Sequence, residues 1–304
     1  MKLRLLILII LITLSHNLFA YPVPPTPLRT LVSEAENIVF AQVTDIKQNK
    51  GENKKEWNKS FIAVLTIKEI LQGKINSKTV EVYFSTELTC PLPAQYEKNT
   101  QILVFLDKDD NKYSTHALTY GLKTLEQSEY EIYKSRILEI QKILKITDKK
   151  ERRIKTVDWL IDCASNPVTK WEGLQDLAPQ SDFISYYDWN KEKFIRTYQL
   201  NKDQKQRLRN LFFNIQKLDY DDVGIIDLII IQNDKEVLKF LIDQFNKFRN
   251  EEYWCKDSVM IQIANVSNRE DLKNIVKRKK GLTMFDENYE QETININREF
   301  INKL

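Results

Sequence analysis

Histidine and glycine are scarce in this chain of 304 residues, and the scarcity removes whole classes of chemistry. The only histidines are His16 and His116, and His16 lies in an N-terminal targeting segment. One remaining histidine cannot furnish a multi-histidine zinc site, and no cysteine or second histidine stands at ligand spacing around it. A Ser-His-Asp triad would have to use His116, yet no Gly-x-Ser-x-Gly elbow accompanies it. Cys-His catalysis would need Cys90 beside His116, with nothing local in support. His116 falls in a run, Tyr113 to Leu118, that reads as a strand, so a structural strand histidine is the simpler assignment. The six glycines form neither a phosphate-cradling loop nor a dinucleotide fingerprint. No cofactor and no resident metal are expected.

Three cysteines, Cys90, Cys163 and Cys255, are too few for a disulfide-stapled mini-domain. An oxidising compartment permits one bridge and leaves one thiol over. Cys163 and Cys255 both fall in the helical half and are the pair that position favours; buried thiols at all three sites are the alternative. Charge is nearly balanced, with 46 Lys and Arg against 43 Asp and Glu. The densest basic clusters, Lys149-Lys150-Glu151-Arg152-Arg153 and Lys277-Arg278-Lys279-Lys280, each sit at an expected helix end. Favourable interaction with the helix dipole accounts for them, and nucleic acid is not an expected partner.

Acidic groups offer little more. Asp107-Lys108-Asp109-Asp110-Asn111-Lys112 has the outline of a calcium loop, but Lys112 stands where glycine is needed and Leu118 where a bidentate Glu belongs. Asp219, Asp221 and Asp222, and likewise Glu251 and Glu252, could in principle form an acid–base pair. Their places at helix starts or in loops suit capping and solvation better.

What the chain does contain begins with Lys2 and Arg4 followed by an apolar run from Leu5 to Leu14, then a polar step to Ala20. This reads as an export signal over residues 1–20, cleaved near Ala20. The run is shorter than the roughly 18 residues a membrane span needs, and the mature chain shows no other candidate span. An exported protein, periplasmic or extracellular, is expected, with two domains by length.

Residues 21–27 are proline-rich and extended. From 28 to 125, Leu28 to Glu36 suggests a short helix, and Ile38 to Val43 a first strand. Gln48 to Lys59 reads as a polar hairpin loop. Phe61, Ala63, Leu65 and Ile67 share one face of a second strand, while Ile62 and Val64 occupy the other. Val80, Val82 and Phe84 alternate with polar neighbours, and Ile102 to Leu106 is apolar on both faces. Strands apolar on both faces are covered on both sides, as in a barrel with helices outside. About five strands at these intervals suggest a small OB-like β-barrel.

Several segments carry a family resemblance. They are Ile38-Val39-Phe40-Ala41-Gln42-Val43, then Ile67-Lys68-Glu69-Ile70-Leu71-Gln72-Gly73-Lys74, then Val80-Glu81-Val82, the lone Cys90, and Tyr96 to Leu106. Together these resemble the netrin-like module, the OB-type barrel shared with tissue inhibitors of metalloproteinases. The resemblance implies the fold of residues 28–125. Inhibitors of that family chelate the protease zinc through an amino-terminal cysteine, whereas this mature chain would begin at Tyr21. Pro91 replaces the usual glycine after the central cysteine, and the later cysteine is missing near Gly121. A fold is therefore implied and an activity is not.

Residues 126–148 read as a linking helix, with Tyr130, Tyr133, Ile137, Ile140 and Leu144 at 3-4-3-4 spacing. Residues 149–304 read as an all-α helical domain, either a HEAT-type array or a non-repeating bundle. Asn166-Pro167 suggests an N-cap with proline at the first helical position. Val223 to Ile231 is nearly all apolar and should be buried all round. Trp171, Tyr186, Tyr187 and Trp189 could build an aromatic contact surface, set against plain packing at a junction or helix core. The expected class is a multidomain α and β protein that is not an enzyme and that binds or scaffolds a protein partner. Protease inhibition through barrel loops is the narrower version, and a carboxylate-dependent glycan hydrolase is the enzymatic alternative.

Overall fold

A computed structural model describes residues 25–50, 60–86, 92–109, 112–231, 233–252 and 254–304. The targeting segment, most of the lead-in, Cys90, Pro91 and most of the loop between the first two strands lie outside these residues. The chain divides into two compact units, one ending at Arg152 and the other beginning at Arg153.

In the first unit, helix α1 (Leu28–Glu34) precedes strands β1 (Asn37–Gln48), β2 (Phe61–Gln72), β3 (Thr79–Phe84), β4 (Gln101–Asp109) and β5 (Lys112–Thr115). The strands hydrogen-bond in the order β1-β2-β3-β5-β4, and β1 pairs again with β4, so the sheet closes into a five-stranded barrel. The β3–β5 pairing is parallel and the others are antiparallel. This closed order fits an OB-like barrel. Closure needs β1 to bend between two partners. Three register shifts against β2, at Ile38/Val39, Phe40/Ala41 and Val43/Asp45, supply the curvature.

Alternation then sorts the side chains. Val39, Ala41, Val43, Ala63, Leu65, Val80, Val82, Phe84, Ile102, Val104 and Leu106 fill the interior. Ile38, Phe40, Leu103 and Phe105 are buried as well, on the opposite face of their strands. Helix α1 contributes Leu28, Leu31 and Val32, and helix α2 (Gln127–Leu144) contributes Tyr130, Tyr133, Ile137 and Ile140. Phe40 and Tyr130 stack at 3.6 Å, and the Tyr130 hydroxyl donates to Glu69 at 2.6 Å. The helix expected at 126–148 thus packs on the barrel. Strand β2 is less covered than its sequence suggested, since Ile62 and Val64 are half-buried.

Two differences follow the last hairpin. Strand β5 stops at Thr115, and a tight turn carries the chain through a 3-10 segment (Leu118–Gly121) into a sixth short strand, β6 (Leu122–Thr124), paired with β4. His116 therefore sits at a turn and not within a strand. Ala117 and Leu118 are both left-handed, with φ of 52° and 56°. Gly121 is required there, because a Cβ would stand 1.8 Å from the His116 carbonyl oxygen.

The second unit is helical. It comprises most of α3 (Lys149–Ala164), then α4 (Lys170–Leu177), α5 (Lys202–Phe213), α6 (Tyr220–Gly224), α7 (Ile226–Ile229), α8 (Lys235–Phe248), α9 (Lys256–Ser267), α10 (Glu270–Gly281) and α11 (Tyr289–Lys303). Helix α8 packs on α9, α9 on α10 and α10 on α11. One β-hairpin interrupts the helices: β7 (Ser185–Asp188) pairs with β8 (Lys193–Arg196). Asn166-Pro167 is not a helix start either. Its side-chain oxygen accepts from Val168 N at 2.9 Å and its carbonyl from Thr169 N at 3.1 Å, a turn with proline at its second position, and α4 begins only at Lys170. The apolar run from Val223 splits into two short helices, with Asp227 outside and Ile231 54% exposed. Among the described residues no helix is long and apolar enough to cross a membrane.

Candidate interaction surface

Three of the four residues of the expected aromatic surface, Tyr186, Tyr187 and Trp189, lie in the β7–β8 hairpin. Register pairs Tyr187 with Phe194 and Tyr186 with Ile195. Because neighbouring strand residues point to opposite faces, Tyr187 and Phe194 share one face and Tyr186 takes the other. The turn between the strands is tied to Asp188, whose Oδ1 accepts from Asn190 N at 3.0 Å and Lys191 N at 3.3 Å. Glu192, at a φ of 49°, returns the chain into β8. This turn carries Trp189 onto the Tyr187 side. The two rings meet edge to face at 4.7 Å, and Tyr187 meets Phe194 at 5.1 Å.

The base of the hairpin is anchored while its tip is bare. Arg153 donates to the Phe183 carbonyl at 3.1 Å and also to Thr197 Oγ1, clasping both ends. Ser185 Oγ donates to the Pro179 carbonyl at 2.7 Å, and Thr197 N to the Ile184 carbonyl at 2.8 Å. Outward, Trp189 is 83% exposed, Tyr186 51% and Phe194 43%. Two of the four expected surface residues, Tyr187 and Trp189, therefore touch. Tyr186 is exposed on the opposite face, and Trp171 is half-buried on α4. Phe194 was missed, because only the hairpin pairing brings it beside Tyr187.

The acidic residues that might have formed a catalytic pair are built as a cap. Asp219 accepts from Asp222 N at 2.9 Å, and Asp222 accepts from Asp219 N at 3.1 Å, a reciprocal box at the start of α6. Lys170, from α4, reaches Asp219 at 3.0 Å and the fully buried Asp222 at 2.8 Å. Gln175 donates to Asp221 at 3.0 Å. Burial is the largest influence on the Asp222 carboxyl and, with the neighbouring Asp219 charge, pushes it up to about 6 against the pull of Lys170. The cluster braces α4 against α6. Glu251 pairs with Lys217. Cys163 and Cys255 are both buried thiols not joined by a disulfide, and burial pushes the Cys255 thiol up to about 11.

The first unit offers two further features. An open groove of about 560 Å³ runs along Val32, Ser33, Leu71, Gln72, Gln141 and Leu144. Elsewhere, His116 lies against two carboxylates, Asp107 and Glu34. Among the described residues no group of three or more His, Cys, Asp or Glu side chains is arranged to hold a metal ion. No protein-family model matches the chain, and no match was found to a curated protein or a solved structure.

Proposed function

We propose that this chain is an exported, non-enzymatic protein that binds or scaffolds a protein partner through the aromatic face of its β7–β8 hairpin. The observation that carries the reading is Trp189, left 83% exposed beside Tyr187 and Phe194 on a hairpin whose base is clasped. Tryptophan and tyrosine dominate interface hot spots, because they bury large area with few rotatable bonds. Covering a side chain of this size is worth about 2–3 kcal/mol, a driving force the isolated chain forgoes. Export rests on the Lys2/Arg4 and Leu5–Leu14 pattern. A narrower version makes the partner a protease engaged by barrel loops.

The test is a crosslinked pull-down of the mature chain from the producing cell's envelope and medium, read by mass spectrometry. One stoichiometric protein partner is expected, with Trp189→Ala weakening it at least about thirtyfold, the effect of losing a hot spot of 2 kcal/mol. Capture that is unchanged by Trp189→Ala would sink the hairpin assignment. A protease as the captured species would select the narrower version.

A further inference from the structure

The His116 cluster has a geometry that hydrogen bonding alone does not complete. Nδ1 lies 2.9 and 3.1 Å from the two carboxylate oxygens of Asp107. An ionised carboxylate only accepts, so Nδ1 carries the proton and donates it to Asp107. The other ring nitrogen, Nε2, is buried and has no hydrogen-bond partner among the described residues. It faces Glu34 Oε2 at 3.6 Å. That separation is too long for a charge-assisted hydrogen bond, which closes to about 2.7–2.9 Å. With a neutral ring, a lone pair would face a carboxylate, two acceptors in opposition. A positive centre between them removes the conflict.

The same 3.6 Å also accommodates a metal ion. Two ligands each about 2.1 Å from a tetrahedral zinc stand about 3.4 Å apart, within a small side-chain adjustment of the observed gap. Asp107 supplies the partner that zinc-ligating histidines characteristically have, a carboxylate on the non-coordinating ring N–H that fixes tautomer and ring orientation. The backbone holds the ring firmly in place. His116 N donates to the Phe105 carbonyl at 2.9 Å, and the two left-handed residues that follow, with Gly121 closing against the His116 carbonyl, leave the turn little freedom. Glu34, at the end of α1 and 57% exposed, has room to adjust.

We propose that His116 Nε2 and the Glu34 carboxylate bind a divalent zinc ion on the barrel unit, with Asp107 as the positioning residue for the imidazole. Two protein ligands make a weak, exchangeable site. The inference is independent of the hairpin reading.

In a chain beginning at Tyr21, His116 is the only histidine, so its ring nitrogens give unambiguous signals in a histidine-labelled sample. Titration with Zn²⁺ is expected to move the Nε2 resonance, saturating at one equivalent. Glu34→Gln, an exposed substitution that spares the fold, should raise the zinc concentration required at least tenfold. Asp107→Asn should raise it by about ten- to a hundredfold. An Nε2 resonance that zinc leaves in place overturns the proposal. Equal zinc affinity in the native chain and Glu34→Gln overturns it as well.

Discussion

Removing the carboxylate of Asp234 should cost the second unit about 4 kcal/mol, because that one side chain serves two elements at once. It caps α8, accepting from Val237 N and from Ile231 N at 3.1 Å each. It also receives the Arg209 guanidinium of α5, Nη1 at 2.5 Å and Nη2 at 3.3 Å. The two side chains are only 1% and 9% exposed, so solvent screens the pair little. Breaking a buried pair by truncating one partner costs about 3–5 kcal/mol, since the other charge is left buried, and a lost cap adds about 1 kcal/mol. Glu236, 2.8 Å from Arg209, keeps part of that charge compensated and pulls the total toward the lower end.

Asp234→Asn retains an acceptor for the cap while removing the charge, so it should lose about 2–3 kcal/mol, the range for a charge-assisted hydrogen bond. Urea unfolding followed by tryptophan fluorescence reads these losses, because four of the five tryptophans, Trp159, Trp171, Trp189 and Trp254, lie in the second unit. The pH dependence supplies a check on cause. Burial pushes the Asp234 carboxyl up, but Arg209 and the two backbone N–H groups outweigh it and hold the group below the usual carboxylate range. A folded-state value below the unfolded one means stabilisation that is fully present above about pH 4 and lost as pH falls through the folded value. The gap between the native chain and Asp234→Asn should stay level from pH 7 to about 5 and narrow below about 4. A loss under about 1 kcal/mol for Asp234→Ala, the level of an exposed pair, would refute the reasoning.

Two further substitutions probe the same unit. At Gly173 a Cβ would stand 2.3 Å from the Leu160 carbonyl oxygen and 2.5 Å from Ala164 N, both backbone atoms of α3. Gly173→Ala should therefore cost about 2–3 kcal/mol by the same urea assay. Gly224→Ala, whose nearest neighbours lie at 3.8 Å, should change stability by less than about 1 kcal/mol and serves as the control. Asp222 should give a pH slope opposite to that of Asp234. Its carboxyl is raised to about 6, so its contribution is present below about pH 4 and lost as pH rises through about 6, amounting to about 3 kcal/mol. Replacing it with Asn should flatten that slope in melts between pH 4 and 7, and an unchanged slope would assign the pH dependence to other groups.

Period and alternation carried most of the architecture. Val80, Val82 and Phe84 point into the barrel as their alternation requires, and Ile102 to Leu106 is buried on both faces because a helix-covered barrel buries both. The 3-4-3 stripe of Tyr130, Tyr133, Ile137 and Ile140 is likewise buried. Signals resting on one or two residues fared worse. Asn166-Pro167 suits a helix start and a β-turn equally, and the turn prevailed because Asn166 caps its own backbone two residues on. Tyr186 to Asp188 is too short and too polar on one face for its pattern to declare a strand; the pairing with Lys193 to Arg196 makes it one.

The sequence by itself determined the class of each half, a barrel followed by helices, because burial of an apolar face imposes a repeat of two or of 3.6 residues over many positions. Only the tertiary structure decided which distant residues meet. Strand β1 lies between β2 and β4 because bulges turn it. Phe194 joins Tyr187 and Trp189 because a hairpin closes. His116 rests between Asp107 and Glu34 because a left-handed turn follows β5. Such meetings depend on register, turn handedness and backbone approach, which are properties of paired segments and have no periodic signature in the chain.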